Sequence, residues 1–250
     1  MFNPILQYEF GLSLTDNLIA YYNFNSNSND ITGKSPNGVV TNTTYVSGIN
    51  NQCVNFANNT ARVDIVDSNN FSFTNGGGID IPFSVSMWVY FTAFTTAAGD
   101  YGNWLINKRN ITSGGDEWQM VLYKDKFYFY KFDRVSNSIN QSISSTSNPF
   151  TLNNWYNIIF TDNGSKTTSG MKIYINGVLL NTIDSSSGVY TGMNNGSAIT
   201  RIGLNSWDLS APYLRHQGNI DEIAIWKGRE LKINEVNQLY NNGIGKFYPF

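Results

Sequence analysis

The sequence predicts an all-β protein, folded as a two-sheet antiparallel sandwich with one short C-terminal helix. Most segments of the 250-residue chain alternate apolar and polar residues, which is the pattern of half-buried strands. Clusters of Asn, Gly, Ser and Thr separate these segments and are typical of tight turns. Only one segment, close to the C-terminus, has apolar residues at helical spacing. A sandwich of this length can form a single domain.

The composition argues against several other classes of protein. Hydrophobic residues make up 41% of the chain and charged residues 14%, which argues against disorder, coiled coils and helical bundles. The 16 basic residues are outnumbered by 18 acidic ones, so few cations can neutralise phosphates and we expect no nucleic-acid partner. No apolar run reaches the roughly 18 residues of a membrane helix, and we expect no membrane span.

The clearest strand is predicted at residues 83–91, where five apolar side chains face one way. The opposite face carries Ser84, Ser86, Trp88 and Tyr90. Further strands are predicted at residues 18–24, 52–56, 61–66, 103–108, 155–161, 199–203 and 219–226.

Two hairpins are predicted from their turn residues. Lys124-Asp125 separates the alternating segments 118–123 and 126–132. Asn176-Gly177 separates residues 171–175 from 178–180 and favours a type I′ turn, because both residues tolerate positive φ.

Helical spacing appears between Glu230 and Asn241, and Asn242-Gly243 forms a C-terminal stop. The Ser/Asn/Thr-rich residues 134–154 and 183–198 are interpreted as long loops, since strands of the same composition resume after both.

Three segments, in this order and spacing, resemble one known family. The first is residues 18–24 (LIAYYNF), followed by the Asn/Asp/Gly loop of residues 25–33. The second runs from Asn154-Trp155-Tyr156 to the Asn176-Gly177 hairpin. The third is residues 218–226 (GNIDEIAIW), followed by the predicted helix. Over residues 18–242 they are similar to laminin-G-like domains of the concanavalin A-like lectin/glucanase superfamily.

The resemblance implies a jelly-roll sandwich over residues 18–250, preceded by an N-terminal docking segment at residues 1–17. Two positions depart from the family pattern. Asn157 stands where many members carry His, and Lys232 stands where a Ser or Thr usually caps the helix, so we expect a weak N-cap.

Catalysis is not expected, although the same fold also carries glycoside hydrolases. Retaining hydrolysis needs two carboxyl groups about 5 Å apart, and the Glu-x-Asp-x-x-Glu pattern of laminarinase-like relatives does not occur here. The neighbours Asp116-Glu117 and Asp221-Glu222 are expected to point to opposite faces of a strand. His216 is the single histidine, and no Gly-x-Ser-x-Gly motif accompanies it. A glycan hydrolase or lyase is therefore the least favoured function.

Calcium is the predicted cofactor, in a structural role. The first loop offers side-chain and backbone oxygens, and the resemblance brings an aspartate of the last strand beside it. The predicted ligands are Asn25, Asn27, Asp30, Gly33 and Asp221, with Asn29 nearby. The alternative is that these Asn and Asp residues only form Asx turns.

Two aromatic surfaces are predicted to bind glycans, because flat rings pack on the C–H faces of sugars. The first is the strand face with Trp88, Tyr90, Tyr128 and Tyr130, unless loops cover these rings. The second is the loop with Trp207, Asp208, Tyr213, Arg215 and His216, unless the histidine is structural. The single cysteine, Cys53, is interpreted as an inert buried thiol.

The leading hypothesis is a non-catalytic glycan-binding module displayed on a phage virion or another extracellular assembly. The first ten residues lack the charged and apolar regions of a secretory signal, and virion proteins leave the cell by lysis. The Tyr-Pro-Phe ending also resembles that of laminin-G-like phage structural proteins. Residues 1–17 and Phe247–Phe250 are apolar and would dock on the domain itself or on other virion subunits. The alternative is a purely structural decoration or fibre protein, and a homo-oligomer remains open.

Overall fold

The computed structural model describes residues 12–95, 101–110, 115–206 and 214–250. Within these ranges, 16 strands form two antiparallel sheets. The same ranges contain one α-helix. The strands are β1 (Leu18–Tyr22), β2 (Gly38–Thr41), β3 (Thr44–Ser47), β4 (Gln52–Asn55), β5 (Arg62–Ile65), β6 (Phe83–Phe91), β7 (Gly102–Lys108), β8 (Trp118–Tyr123), β9 (Lys126–Phe132), β10 (Asn140–Ser144), β11 (Trp155–Asp162), β12 (Met171–Ile175), β13 (Val178–Leu179), β14 (Ile183–Asp184), β15 (Thr200–Ile202) and β16 (Gly218–Lys227). The helix, α1, spans Ile233–Tyr240, and short 3-10 turns lie at Asn69–Phe71, Thr168–Gly170 and Asn241–Gly243.

Each sheet contains eight strands. Sheet A has the order β13-β12-β11-β6-β16-β4-β3, with β1 also paired to β16. Sheet B has the order β14-β10-β9-β8-β7-β15-β5-β2. Neighbours such as β6 and β16 are far apart in sequence, so the chain crosses repeatedly between the sheets. The predicted two-sheet antiparallel sandwich is confirmed.

Both predicted hairpins form with the expected backbone. Lys124 and Asp125 connect β8 to β9 with φ angles of 45° and 62°. Asn176 and Gly177 connect β12 to β13 with φ angles of 51° and 79°. Positive φ at both turn residues is the requirement of a type I′ turn, whose twist matches that of the flanking strands.

The interpretation of residues 134–154 and 183–198 as long loops was wrong in part. The first stretch contains β10 and the second contains β14, and the two strands pair with each other. Their polar side chains bond across the pair, with Ser144 Oγ 2.7 Å from Ser185 Oγ. Strands β2 and β3 were also missed. Alternation cannot reveal strands such as β10, because serine replaces the apolar residue that usually marks a buried position.

Aromatic rings fill the space between the sheets. Phe83 of β6 stacks on Phe73 with ring centroids 3.9 Å apart. Phe129 of sheet B lies 4.6 Å from Phe160 of sheet A, and Trp118 is fully buried beside them. Such pairs add attraction beyond the burial of area alone.

The C-terminal helix covers the outer face of sheet A. Its buried residues Val236 and Leu239 pack with Tyr174 and Trp226 of that face. As expected, the Lys232 side chain makes no capping bond; instead, Glu235 Oε2 accepts the Lys232 backbone N–H over 2.8 Å.

Residues 12–17 and the C-terminal segment pack on the same outer face of sheet A. The indole Nε1 of Trp226 donates to the carbonyl of Leu14 over 2.7 Å. Phe250 lies 6.2 Å from Trp226, and Tyr248 lies 5.3 Å from Tyr21, between ring centroids. Residues 12–17 and the C-terminal segment Phe247–Phe250 therefore dock on their own domain, while residues 1–11 lie outside the described ranges. The part of the outer face of sheet A around Tyr21 and Trp226 is thus covered by the chain itself.

Candidate functional site

The outer face of sheet B carries a ladder of stacked rings on β9. Tyr128 and Tyr130 stack with centroids 5.1 Å apart and planes 19° apart. Phe132 continues the ladder, 5.7 Å from Tyr130 and nearly parallel to it. Alternation along a strand places residues two apart on one face, which is why the three rings align.

Residues of β8 and β7 complete an aromatic cluster around this ladder. Across the hairpin, Val121 pairs with Tyr128 and Gln119 with Tyr130, so all four side chains share the outer face. The Tyr123 ring lies 5.9 Å from Trp104 in an edge-to-face arrangement.

A cavity of about 170 Å³ opens within this cluster. Its lining consists of Trp104, Arg109, Gln119, Val121, Tyr123, Tyr130, Phe132 and Leu214, and we name it the aromatic pocket. Burial raises the pKa of the Tyr130 phenol, which keeps this hydroxyl neutral at physiological pH. A mostly apolar wall with a few polar groups is the usual design of a small-ligand site.

The polar groups of the aromatic pocket are linked to one another. Gln119 Oε1 accepts from Trp104 Nε1 over 3.3 Å and from Arg109 Nη1 over 2.9 Å. The other side of the Arg109 guanidinium bonds to Asp116 Oδ2, over 2.9 Å from Nε and 2.6 Å from Nη2. The Cζ atom of Arg109 also lies 4.6 Å from the centroid of the Phe132 ring. These contacts hold both the arginine and the glutamine in one orientation.

The first predicted glycan surface is divided between the two sheets. Tyr128 and Tyr130 lie on sheet B, whereas Trp88 and Tyr90 lie on β6 of sheet A. Trp88 is only 3% exposed, and its ring stacks on that of Tyr240, the last residue of α1. The prediction for Trp88 is therefore corrected, because its indole faces the C-terminal helix and has no surface left for a sugar.

The second predicted glycan surface is only partly described. Trp207, Asp208 and Tyr213 lie outside the described ranges. His216 is fully buried between the rings of Phe56 and Phe91, at 5.8 and 5.2 Å.

Burial lowers the pKa of His216 to about 3, so the imidazole is neutral in the core. The neighbouring Arg215 is 9% exposed, and its Nη1 donates to the carbonyl of Phe56 over 3.2 Å. The expectation that His216 contacts a glycan is therefore wrong, because its imidazole is fully buried in the core.

The described contacts of Asp30 do not fit a calcium ligand. Its carboxylate accepts the backbone N–H groups of Tyr21, Thr32, Lys34 and Ser35, at 2.8 to 3.1 Å, together with the Thr32 hydroxyl. Such N–H donors present positive charge where a cation would sit.

The Asn residues of the same loop also bond within the chain. Asn25 Oδ1 accepts the N–H of Gln52 over 2.9 Å, and Asn27 Oδ1 accepts that of Asn29 over 2.9 Å. Gly33 adopts a φ of 69° as part of this turn. Within the described ranges, no group of three or more His, Cys, Asp or Glu side chains could hold a metal ion. Calcium remains an untested prediction that these contacts do not favour.

Asp221 and Glu222 do not point to opposite faces, contrary to the sequence prediction. A β-bulge interrupts the pairing of β16 with β6 between Asp221 and Ala224, and Glu222 has a φ of 50°. Ile220 and Ile223 both face the core, so the two acids between them share the outer side.

Both carboxylates of this pair reach Asn50. Asp221 Oδ2 accepts its N–H over 3.4 Å, and Glu222 Oε1 accepts its Nδ2 over 2.8 Å. Burial and the nearby Glu222 raise the pKa of Asp221 to about 9, and burial also raises that of Glu222. The adjoining cavity measures only about 10 Å³, which is too small for a glycosidic bond and its sugars.

Two lysines buried between the strands pair with other acids. Lys131 Nζ lies 3.0 Å from Asp80 and 2.9 Å from Asp162, and all three side chains are fully buried. Lys108 Nζ lies 2.7 Å from both Asp67 and Glu117. Each lysine neutralises part of its acid pair, and none of these carboxylates lines the aromatic pocket.

Cys53 is buried, as expected of a structural thiol. Burial and the nearby Asp221 raise its pKa to about 12, so the thiol stays protonated and unreactive.

Sequence reasoning missed several residues of the aromatic pocket. Gln119 and Tyr123 could have been found, because the predicted hairpin places β8 directly opposite Tyr128 and Tyr130. Trp104 and Leu214 carry no such signal, since β7 pairs with β8 through a bulge and Leu214 comes from a distant segment.

A laminin G family model described as the concanavalin A-like lectin/glucanases superfamily matches residues 56–237, more than half of the chain. No curated protein matches this chain.

No helix in the described ranges is long and apolar enough to traverse a bilayer.

Three solved structures illustrate the similarity of fold. The binding domain of Paraclostridial Mosquitocidal Protein 1 has a TM-score of 0.67 at 20% identity, covering 92% of this chain and 53% of that one. Domain 4 of AbnA, a GH43 extracellular arabinanase from Geobacillus stearothermophilus in complex with arabinotriose, has a TM-score of 0.55 at 20% identity, covering 92% and 98%.

The third is botulinum neurotoxin type C, which depends on two ganglioside molecules to enter cells; its TM-score is 0.59 at 18% identity, covering 92% and 52%. This chain thus spans about half the length of the two toxin chains.

Proposed function

Because the chain belongs to the concanavalin A-like lectin/glucanase superfamily, we propose that it is a non-catalytic glycan-binding module. The aromatic pocket is the proposed binding site. The observation that carries the proposal is the stacked ladder of Tyr128, Tyr130 and Phe132 beside a cavity of about 170 Å³. Aromatic faces pack on the apolar faces of sugars, and Gln119 and the tyrosine hydroxyls supply hydrogen bonds.

The arrangement of acids supports a binding role over hydrolysis. Among the described residues, no carboxylate lines the aromatic pocket. The converging pair, Asp221 and Glu222, is buried beneath the β3–β4 turn and the C-terminal segment, next to a cavity of about 10 Å³. Hydrolysis needs two carboxyl groups on either side of a bound glycosidic bond, and no described pair offers that space.

The ligands of two structural neighbours indicate a class of partner. Domain 4 of AbnA is in complex with arabinotriose, and botulinum neurotoxin type C interacts with gangliosides. We therefore propose a surface polysaccharide or glycoconjugate as the partner of this chain.

A glycan array probed with the purified protein tests the proposal. Wild type is expected to bind at least one glycan, and Tyr130→Ala should lose that binding while remaining folded. Tyr45→Ala is the matched control, because Tyr45 is a partly buried tyrosine on β3 of the other sheet. If wild type binds nothing on the array, the proposed glycan binding is wrong. If both variants lose binding equally, the aromatic pocket is not the binding site.

We also propose display on a phage particle or another extracellular assembly, with the structural decoration or fibre protein as the alternative. This rests on the sequence resemblance and not on the geometry. The docking of Tyr248 and Phe250 on Tyr21 and Trp226 leaves less of the C-terminal segment for another subunit. Density for the chain on a virion surface would support display, and assembly without glycan binding would favour the structural alternative.

A further inference from the structure

The aromatic pocket is small compared with sites that hold oligosaccharides or drug-sized molecules. Its volume of about 170 Å³ lies below the roughly 300 Å³ at which such sites begin. A single sugar ring is a ligand of suitable size. A pocket of this size has room for one ring, and the terminal ring of a glycan can enter it with its single linkage directed outward.

Among the described residues of the lining, Arg109 is the one cation, and it is already paired with an acid. Both Nε and Nη2 of Arg109 bond to Asp116, whose side chain is only 1% exposed. Nη1 bonds to Gln119, and the guanidinium plane lies over Phe132. A carboxylate entering the pocket would meet a neutral ion pair and would lose its hydration without gaining a counter-ion.

The residues outside the described ranges offer no lysine or arginine to the pocket. Residues 1–11, 96–100, 111–114 and 207–213 contain no Lys or Arg, and their charged residues are all acidic. Lys124 and Lys126 lie on the β8–β9 hairpin beside the pocket. Lys124 Nζ lies 4.9 Å from the centroid of the Tyr123 ring, and neither lysine lines the cavity.

The remaining polar groups suit neutral hydroxyls. Gln119 Oε1 accepts from Trp104 and Arg109, so the Nε2 group is the part of this amide that could donate to a hydroxyl. The neutral hydroxyl of Tyr130 can both donate and accept.

We propose that the aromatic pocket binds one uncharged sugar ring at the end of a glycan, with Asp116 excluding acidic sugars by neutralising Arg109. The inference rests on the proposed function and specifies its ligand class.

Glycans matched except for the charge of their carboxyl groups test the proposal. An array would carry 3′-sialyllactose and oligogalacturonides, each beside its methyl ester. The neutral member of a bound pair is expected to bind about tenfold tighter or more. The monosaccharide of the terminal ring should displace the bound glycan.

The outcomes separate the two proposals. Equal or tighter binding of the charged member, or failure of the monosaccharide to compete, overturns this inference and leaves glycan binding intact. Binding to no member of the array overturns both.

Asp116→Asn provides a second measurement, because it removes the counter-ion of Arg109 with little change in shape. The ratio of charged to neutral binding should rise roughly tenfold. Asp125→Asn is the matched control, since Asp125 is exposed on the nearby hairpin and its loss changes net charge equally. An equal shift in both variants, or none in Asp116→Asn, would contradict the role of Asp116.

Discussion

The rings of Trp88 and Tyr240 stack with centroids 6.2 Å apart and planes 27° apart. This contact joins the outer face of sheet A to the C-terminal helix. It explains why two strand faces of similar aromatic content have different roles. Around Trp88, the face of sheet A is covered by the helix and the C-terminal segment, whereas the face of sheet B borders the aromatic pocket.

Trp88→Ala is expected to reduce stability without affecting the ligand site. Removing a buried tryptophan should lower the free energy of unfolding by about 3–5 kcal/mol. Glycan binding per folded molecule should stay unchanged, because Trp88 and the aromatic pocket lie on opposite sheets. Denaturant unfolding followed by fluorescence measures the first effect, and array binding at low temperature measures the second. Loss of binding in a folded Trp88→Ala protein would contradict this separation.

His216 is expected to remain unprotonated in the folded protein. Its pKa is lowered to about 3, below the ordinary 6.5, so the folded state binds fewer protons than the unfolded state. The stability this provides is present above pH 6.5 and is lost as the pH falls toward 3. Since the chain has a single histidine, NMR can follow its imidazole without ambiguity. Titration of the folded protein near pH 6.5 would show that the ring is exposed.

Glu222→Gln should reduce the dependence of stability on pH. The pKa of Asp221 is raised from 3.8 to about 9, so its contribution is fully present below pH 3.8 and is lost as the pH rises toward 9. Removing the Glu222 charge lets Asp221 ionise more easily, and the loss should become smaller. Comparing Tm at pH 5 and pH 8 in wild type and variant cancels the opposing effect of His216. An unchanged difference between the two Tm values would contradict the coupling.

Lys131→Met should destabilise the sandwich strongly. The substitution leaves Asp80 and Asp162 buried without their shared cation, for which a cost of about 3–5 kcal/mol is expected. Lys166→Met is the matched control, because Lys166 is exposed and its loss should change stability by less than about 0.5 kcal/mol. Denaturant unfolding compares the two variants. Similar stabilities would mean that the buried cluster contributes little.

Calcium is expected to have no effect on thermal stability, although the sequence predicts a structural calcium ion. The oxygens of Asp30 accept backbone N–H groups, and those of Asp221 accept the N–H groups of Ile49, Asn50 and Glu222. A cation would have to displace these donors. Thermal unfolding with calcium and with EDTA should give the same Tm. A higher Tm in calcium would restore the sequence prediction.

Local rules account for what was predictable here. The 83–91 alternation, the Asn176-Gly177 turn and the helix near residue 235 each depend on neighbouring residues, and each appears in the structure. The bulge that brings Asp221 and Glu222 together breaks the alternation rule. It arises where β16 must pair with β1, β4 and β6 at once, which no local pattern records.

The all-β class, most of the strands and the faces of the β8–β9 hairpin can be predicted from the amino-acid sequence, because side-chain alternation and turn chemistry act over a few residues. The position of Trp88 under a helix, of Tyr130 beside a cavity and of His216 in the core cannot be predicted in this way. Those outcomes depend on which sheet receives each strand and on what packs over it, and these contacts join residues that are distant in the chain.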